Sequence, residues 1–133
     1  VLADTNILLD LVLAREPWAS EAKALWDSRD QGRVLIQVAA SVLTDIFNIC
    51  RKQVGSDRAR LAVEECLRRC ILVPVDRTIL EAALALPGSD FEDNVQIACA
   101  QAAQLDLIIT RNVADFTHST IPAMEPAGVV DRL

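Results

Sequence analysis

Four aspartates, with a few amide and hydroxyl side chains near them, carry the chemistry this chain can do. Asp4 closes a short apolar start, Val1-Leu2-Ala3, and Thr5-Asn6 and a helix-compatible run from Ile7 to Leu13 follow at once. That order describes a buried strand ending in an acid, a turn and a helix. In open α/β sheets ligands bind in the crevice beyond the carboxyl ends of the strands. Asp45 lies within Val38 to Phe47, the least polar stretch of the chain, where Ser41, Asp45, Asn48 and Lys52 form one polar helical stripe. The stripe reads either as a solvated helix face or, given the apolar residues on both sides, as a buried carboxylate that needs a partner or a metal. Asp93 stands in Ser89-Asp90-Phe91-Glu92-Asp93-Asn94, just ahead of another helical pattern. Capping and the helix macrodipole account for acids at that place as well as chemistry does. Thr110-Arg111-Asn112-Val113-Ala114-Asp115 follows the last clear strand, and in a parallel sheet it emerges at the same end as Asp4. A strand-completing Thr110, a turn-forming Asn112 and a capping Asp115 are the plain alternative.

Acids that meet without a basic partner repel one another and resist ionisation. The usual relief is a hard divalent cation, with Mg²⁺ or Mn²⁺ suited to oxygen ligands. Such an ion, with open positions for water and phosphate, activates water and stabilises an in-line displacement. No Ser-His-acid set, Cys-His set or glycine-rich phosphate loop is apparent, and His118 is the only histidine. Metal-assisted phosphodiester hydrolysis is the chemistry that fits best. A phosphoacceptor receiver domain also gathers acids beside a metal, but it needs a later lysine and none follows Lys52.

The elements that must position these acids follow from hydrophobic periodicity. Val34 to Val38, Ile71 to Val75 and Leu107 to Thr110 read with the first strand as short, mostly buried parallel strands. Pro74 marks the third as an edge strand or one only partly paired. Helical patterns run from Trp18 to Arg29, Ala40 to Lys52, Thr78 to Leu86 and Phe91 to Gln104. Gly55-Ser56-Asp57 opens a further helix whose apolar stripe is Ala59, Ala62, Val63, Cys66 and Cys70. Ile121 to Leu133 suggests a short strand and a last helical turn. The alternation predicts a single α/β domain over residues 1–133, with a mainly parallel central sheet of about four to five strands flanked by helices.

The 133 residues suit one domain, and 52% hydrophobic content argues for a packed globule. A net charge of −6 and a pI near 4.7 disfavour a protein that coats nucleic acid through its overall field. They do not bar an enzyme that reaches phosphates through bound cations. The four cysteines sit in apolar helical contexts and read as small core hydrophobes rather than a disulfide framework. No run is long enough to span a bilayer and no basic-then-apolar leader precedes Asp4, so a cytoplasmic location is expected.

In order along essentially the whole chain, the motifs resemble those of the PIN-domain family, in particular the small VapC-type toxins. Leu2-Ala3-Asp4-Thr5-Asn6-Ile7-Leu8-Leu9-Asp10 looks like the first motif and Ser41-Val42-Leu43-Thr44-Asp45-Ile46 like the second. Asp90-Phe91-Glu92-Asp93-Asn94 looks like the third, and Thr110-Arg111-Asn112 with Asp115-Phe116 like the fourth. The resemblance implies a Mg²⁺- or Mn²⁺-dependent ribonuclease, the toxin half of a toxin–antitoxin pair, and commonly a homodimer. Asp4, Asp45, Asp93 and Asp115 would form the acidic metal site. Asn6 would orient Asp4 or the attacking water, and Thr110 and Asn112 would line the pocket. Asp90 and Glu92 look peripheral, and Asp10 is expected to face solvent. The second motif usually offers Glu where this chain has Asp45, one methylene shorter, which motivates an alternative: a catalytically degenerate PIN domain acting as an RNA-binding or protein-interaction module. Trp18 and Trp26 are candidates for antitoxin contacts or ordinary core residues. Arg51, Lys52, Arg58, Arg60, Arg68 and Arg69 either hold RNA phosphates or form a solvated helix face.

Overall fold

Apolar runs too short for helices become the strands of one sheet: β1 (Leu2–Ala3), β2 (Gln37–Ala39), β3 (Ile71–Val73), β4 (Ile108–Ile109) and β5 (Ala123–Met124). These elements belong to a computed structural model that describes residues 1–133. Every neighbouring pair is parallel, in the order β3-β2-β1-β4-β5. Seven helices flank the sheet: α1 (Thr5–Val12), α2 (Ala19–Asp30), α3 (Ala40–Val54), α4 (Ser56–Arg69), α5 (Arg77–Ala85), α6 (Phe91–Ala102) and α7 (Pro126–Val130). A short 3₁₀ turn at Val113–Phe116 follows β4.

The chain builds outward from β1 to β3 and then returns to the other side of β1 for β4 and β5. The reversal falls between β1 and β4, the topological switch point where α/β sheets open a crevice. Leu2 pairs with Ile108 and Ala3 with Ile109, so the next residues, Asp4 and Thr110, leave the sheet side by side. The Asp4 N–H still donates to the Ile109 carbonyl at 2.9 Å, which fixes the first acid to the end of the ladder.

Strand ends differ from the sequence reading in understandable ways. The second strand begins only at Gln37, because Leu35 turns out to solvent at 66% exposure. The third is an edge strand and stops at Val73, one residue before Pro74, which has no N–H to give the ladder. Asp10 is a correction. It is 1% exposed rather than facing solvent, because Arg15 and Arg111 fold over it and offset the cost of burying its charge. Trp26 is core at 2% exposure, whereas Trp18 remains 39% exposed.

Gly55 separates α3 from α4 with φ of +88°, a backbone state that side chains disfavour, and so lets the two helices fold back on each other. The four cysteines are free and buried, and burial pushes the thiols of Cys66 and Cys99 up to about 11 and that of Cys70 to about 12. They act as packing groups. At the centre lies α6, in which Asn94, Val95, Gln96, Ile97, Ala98, Cys99 and Ala100 are all buried. A helix covered on every side cannot shift without disturbing the core.

The loop entering α6 is held by a polar tie. Asn94 Nδ2 donates to the Gly88 carbonyl at 2.8 Å, which turns its Oδ1 to His118 Nε2 at 2.9 Å, so Nε2 carries the proton. A Cβ on Gly88 would overlap both the His118 ring and the Asn94 amide oxygen. Gly88→Ala is therefore expected to destabilise the domain by about 1–3 kcal/mol through this forced overlap. Urea unfolding of the variant beside the wild-type protein measures it.

Candidate acidic active site

Each predicted acid reaches the switch-point crevice from a different segment. Asp4 is the N-cap of α1, and its position at the end of a buried strand leaves it 6% exposed. Its Oδ1 accepts from the Thr5 N–H at 2.7 Å and from Gln96 Nε2 at 2.9 Å, and its Oδ2 accepts from Thr110 Oγ1 at 2.8 Å. Thr110, fully buried, in turn accepts from the Asn112 N–H at 3.0 Å, which bends the chain after β4 back over the crevice. The Asp115 N–H then donates to the Asn112 carbonyl at 2.9 Å and starts the 3₁₀ turn that carries the fourth acid. Asp90 caps α6 by accepting from the Asp93 N–H at 3.0 Å, which sets Asp93 in the first helical turn. Asp45 enters from α3, half-buried, with Asn48 and Ile49 on the following turn.

These residues line a cleft of about 410 Å³. Its walls hold six carboxylates, from Asp4, Asp45, Asp90, Glu92, Asp93 and Asp115, with Asn6, Asn112 and Gln96 among the other polar groups. Leu9 and Ile49 are the only hydrophobic residues of the lining, and no lysine or arginine contributes to it. Of the seven residues read from sequence, Asp4, Asn6, Asp45, Asp93, Asn112 and Asp115 face this cleft. Thr110 stands behind it, bonded to Asp4. Asn6 is not among the hydrogen-bond partners of Asp4; its amide oxygen accepts from the Arg15 guanidinium at 3.1 Å. Asp90 and Glu92, read as peripheral, belong to the lining as well.

Gln96 escaped the sequence reading although it is the residue that grips Asp4 from α6. Its signal was a single long polar side chain in an otherwise apolar run, three residues after Asp93, which puts it one turn along the same face. Because Nε2 donates to Asp4, the carbonyl Oε1 of Gln96 is left buried without a protein partner.

The electrostatics follow from so many acids and no cation. Burial, reinforced by the charges of Asp90, Asp4, Asp115 and Glu92, pushes the Asp93 carboxyl from the ordinary 3.8 up to about 7. The Asp45 charge, ahead of burial, raises the carboxyl of Glu92. No three of the acids already stand as a ready-made ion cage, as befits groups that repel one another. The donor set nonetheless fits a hard divalent cation: it is all oxygen, it includes an orphaned buried amide carbonyl, and its repulsion is relieved by positive charge.

The sequence model of the PIN domain matches residues 1–114, and the chain belongs to that family. Solved structures that share the fold include the following three. A toxin–antitoxin complex from Klebsiella pneumoniae is 26% identical with a TM-score of 0.69, over 95% of this chain and 97% of that one. VapC20 of Mycobacterium tuberculosis, a toxin that cleaves the sarcin–ricin loop, is 18% identical with a TM-score of 0.67, over 80% and 85% of the two chains. VapBC2 from Rickettsia felis, bound to a DNA fragment from its promoter, is 13% identical with a TM-score of 0.69, over 93% and 96%. No curated protein sequence matches the chain significantly. No helix is long and apolar enough to cross a membrane.

The raised Asp93 carboxyl has a measurable sign. Between about 4 and about 7 the native state holds this proton more tightly than the unfolded chain, so stability falls as pH rises through that interval. In EDTA the melting temperature should drop across this window, and Asp93→Asn should flatten that part of the profile. Thermal melts at stepped pH check both outcomes.

Proposed function

We propose that this protein is a metal-dependent endoribonuclease that hydrolyses RNA phosphodiester bonds, and the toxin component of a type II toxin–antitoxin system. One observation carries the reading: in a PIN-family chain, four aspartates from four separate segments converge on one cation-free cleft at the switch point of the sheet. Asp4, Asp45, Asp93 and Asp115 would hold Mg²⁺ or Mn²⁺. When bound, such an ion would lower the pKa of water and offset the charge on the attacked phosphate and on the oxygen that leaves it.

The chain's own groups divide the remaining work. Asp4 is locked by three hydrogen bonds and serves as the fixed acid. Asp93 holds its proton up to about 7 while no cation is bound, so binding of the ion near neutral pH would displace that proton. Glu92 offers a longer side chain beside the shorter Asp45. Exposed Lys52, one turn beyond Asn48 on α3, and its neighbour Arg51 would meet RNA phosphates. Arg68 and Arg69 are less suited, because Glu65 pairs with both and Asp30 with Arg69.

The partner is a cognate antitoxin, by analogy with the toxin–antitoxin complexes that share the fold. A second cleft, of about 490 Å³ and mostly apolar, is lined by Val12, Leu13, Val54, Leu61 and Ala62 with Arg58 and Glu65 at its edge, and would take an apolar antitoxin segment. Buried Trp26 is not available to a partner. Exposed Ile71 and Leu72 on β3 and Leu80 and Leu84 on α5 would supply apolar surface for a homodimer. With RNA as the proposed substrate, the proposed location is the cytoplasm.

Cleavage of RNA by the purified protein should require Mn²⁺ or Mg²⁺ and stop with EDTA. Asp4→Asn and Asp93→Asn should each lower the rate about a hundredfold or more while the far-UV dichroism stays native. Full activity in both variants would remove the site assignment. Absence of Mn²⁺ binding in calorimetry at millimolar metal would favour a non-catalytic binding module.

A further inference from the structure

Asp10 is the one buried carboxylate outside the acidic cleft, and nothing in the proposed hydrolysis uses it. It lies one helical turn beyond Asn6 on α1, at 1% exposure. Its two oxygens face arginines from two different segments. Arg15 Nε donates to Oδ1 at 3.0 Å, and Arg111 Nε is ion-paired with Oδ2 at 2.8 Å. Arg111, between Thr110 and Asn112, also stacks on the Trp18 ring at 3.7 Å from its centroid. Asp10 thus ties α1 to the loop after β4, the two segments that bring Asn6 and Asn112 to the cleft.

The consequence falls on Asn6. The terminal nitrogen of Arg15 reaches back to the Asn6 amide at 3.1 Å. A guanidinium only donates, so the atom facing it is Oδ1, and a charge-assisted bond holds it there. Nδ2, which has no partner within the protein, is the end left for the cleft that Asn6 lines. This matters because the cleft is crowded with acceptors, whereas a phosphodiester offers only acceptors and needs donors.

We propose that Asp10, acting through Arg15, is a positioning residue that fixes the Asn6 amide with Nδ2 toward the cleft, so that Asn6 donates a hydrogen bond to a non-bridging phosphate oxygen of RNA. The proposal rests on the ribonuclease reading for its substrate, but not for the amide geometry. Freed from Arg15, the amide can turn its oxygen to the cleft, where it repels the phosphate.

Asn6→Ala, Arg15→Lys and Asp10→Asn test this by steady-state cleavage of a single-stranded oligoribonucleotide in Mn²⁺, with calorimetric Mn²⁺ titration alongside. Asn6→Ala removes the donor without adding charge to the cleft. Arg15→Lys keeps the charge beside Asp10 but loses the fork, and Asp10→Asn keeps the shape but loosens the hold on Arg15. All three should raise KM, by about tenfold or more in Asn6→Ala, the loss expected for one hydrogen bond to a charged group, with a smaller change in kcat. Mn²⁺ affinity should stay within about threefold of wild type, since the groups proposed to hold the ion are untouched. An unchanged KM in Asn6→Ala would overturn the proposal, and an unchanged KM in Arg15→Lys or Asp10→Asn would overturn the positioning role. If one of these two does not fold, the other decides that role. If wild-type protein cleaves no RNA, the ribonuclease reading fails by itself. The affinity of the same oligonucleotide in Ca²⁺ then decides the donor: weakening by about tenfold in Asn6→Ala supports it, and equal affinity refutes it.

Discussion

The pairing of β1 with β4 is the constraint on which the acidic cleft depends. Parallel register sets Asp4 beside Thr110 as both leave the sheet, and the hydroxyl bond between them closes the gap at the switch point. From there the geometry propagates in two directions. Thr110 accepts from the Asn112 N–H and curls the following loop toward Asp115, while Gln96 reaches from α6 to the other oxygen of Asp4 and aligns that helix with the first strand. One carboxylate is therefore the meeting point of a central strand, a buried helix and a loop. Its rigidity is a property of the whole core rather than of any local turn.

Against this rigid floor stands a set of charges that oppose one another. Six carboxylates line the cleft without a basic residue among them, and the acid of the first turn of α6 holds its proton into the neutral range. Charge repulsion of this kind opposes folding, and it persists only where the surrounding core has stability to spare. The positively charged side chains nearest in sequence are turned elsewhere: Arg15 and Arg111 both face Asp10, on the far side of Asn6. The chain keeps its cations close to the cleft yet out of it, which leaves the acids free for a partner from solution.

Much of this was legible in the sequence because it rests on local signals. The β/α alternation, the acids at strand ends and helix starts, and the edge role of the strand before Pro74 are all written in short windows. What the sequence withheld needs tertiary knowledge. Asp10 reads as a solvated helical acid until two arginines, five and about a hundred positions away, are seen to cover it. Gln96 reads as a stray polar residue until the helix that carries it is found to be buried on all sides and aimed at Asp4. The likeness to PIN motifs supplied the order of the acids; only the folded chain shows that Asp90 and Glu92 share their cleft and that Asn6 answers to Arg15 instead of Asp4.

The cleft has an uneven construction, and this bears on how such a protein can change over time. Its floor, made by Asp4, Thr110 and Gln96, is sealed within the core, so an altered side chain there disturbs packing and chemistry together. Its rim, with Glu92 and Asn112, is open to solvent, where substitutions usually change stability by only about 0.5 kcal/mol. Preference among substrates can therefore drift through the rim while the floor stays fixed. Lineages built on this frame can acquire new targets without first having to acquire a new fold.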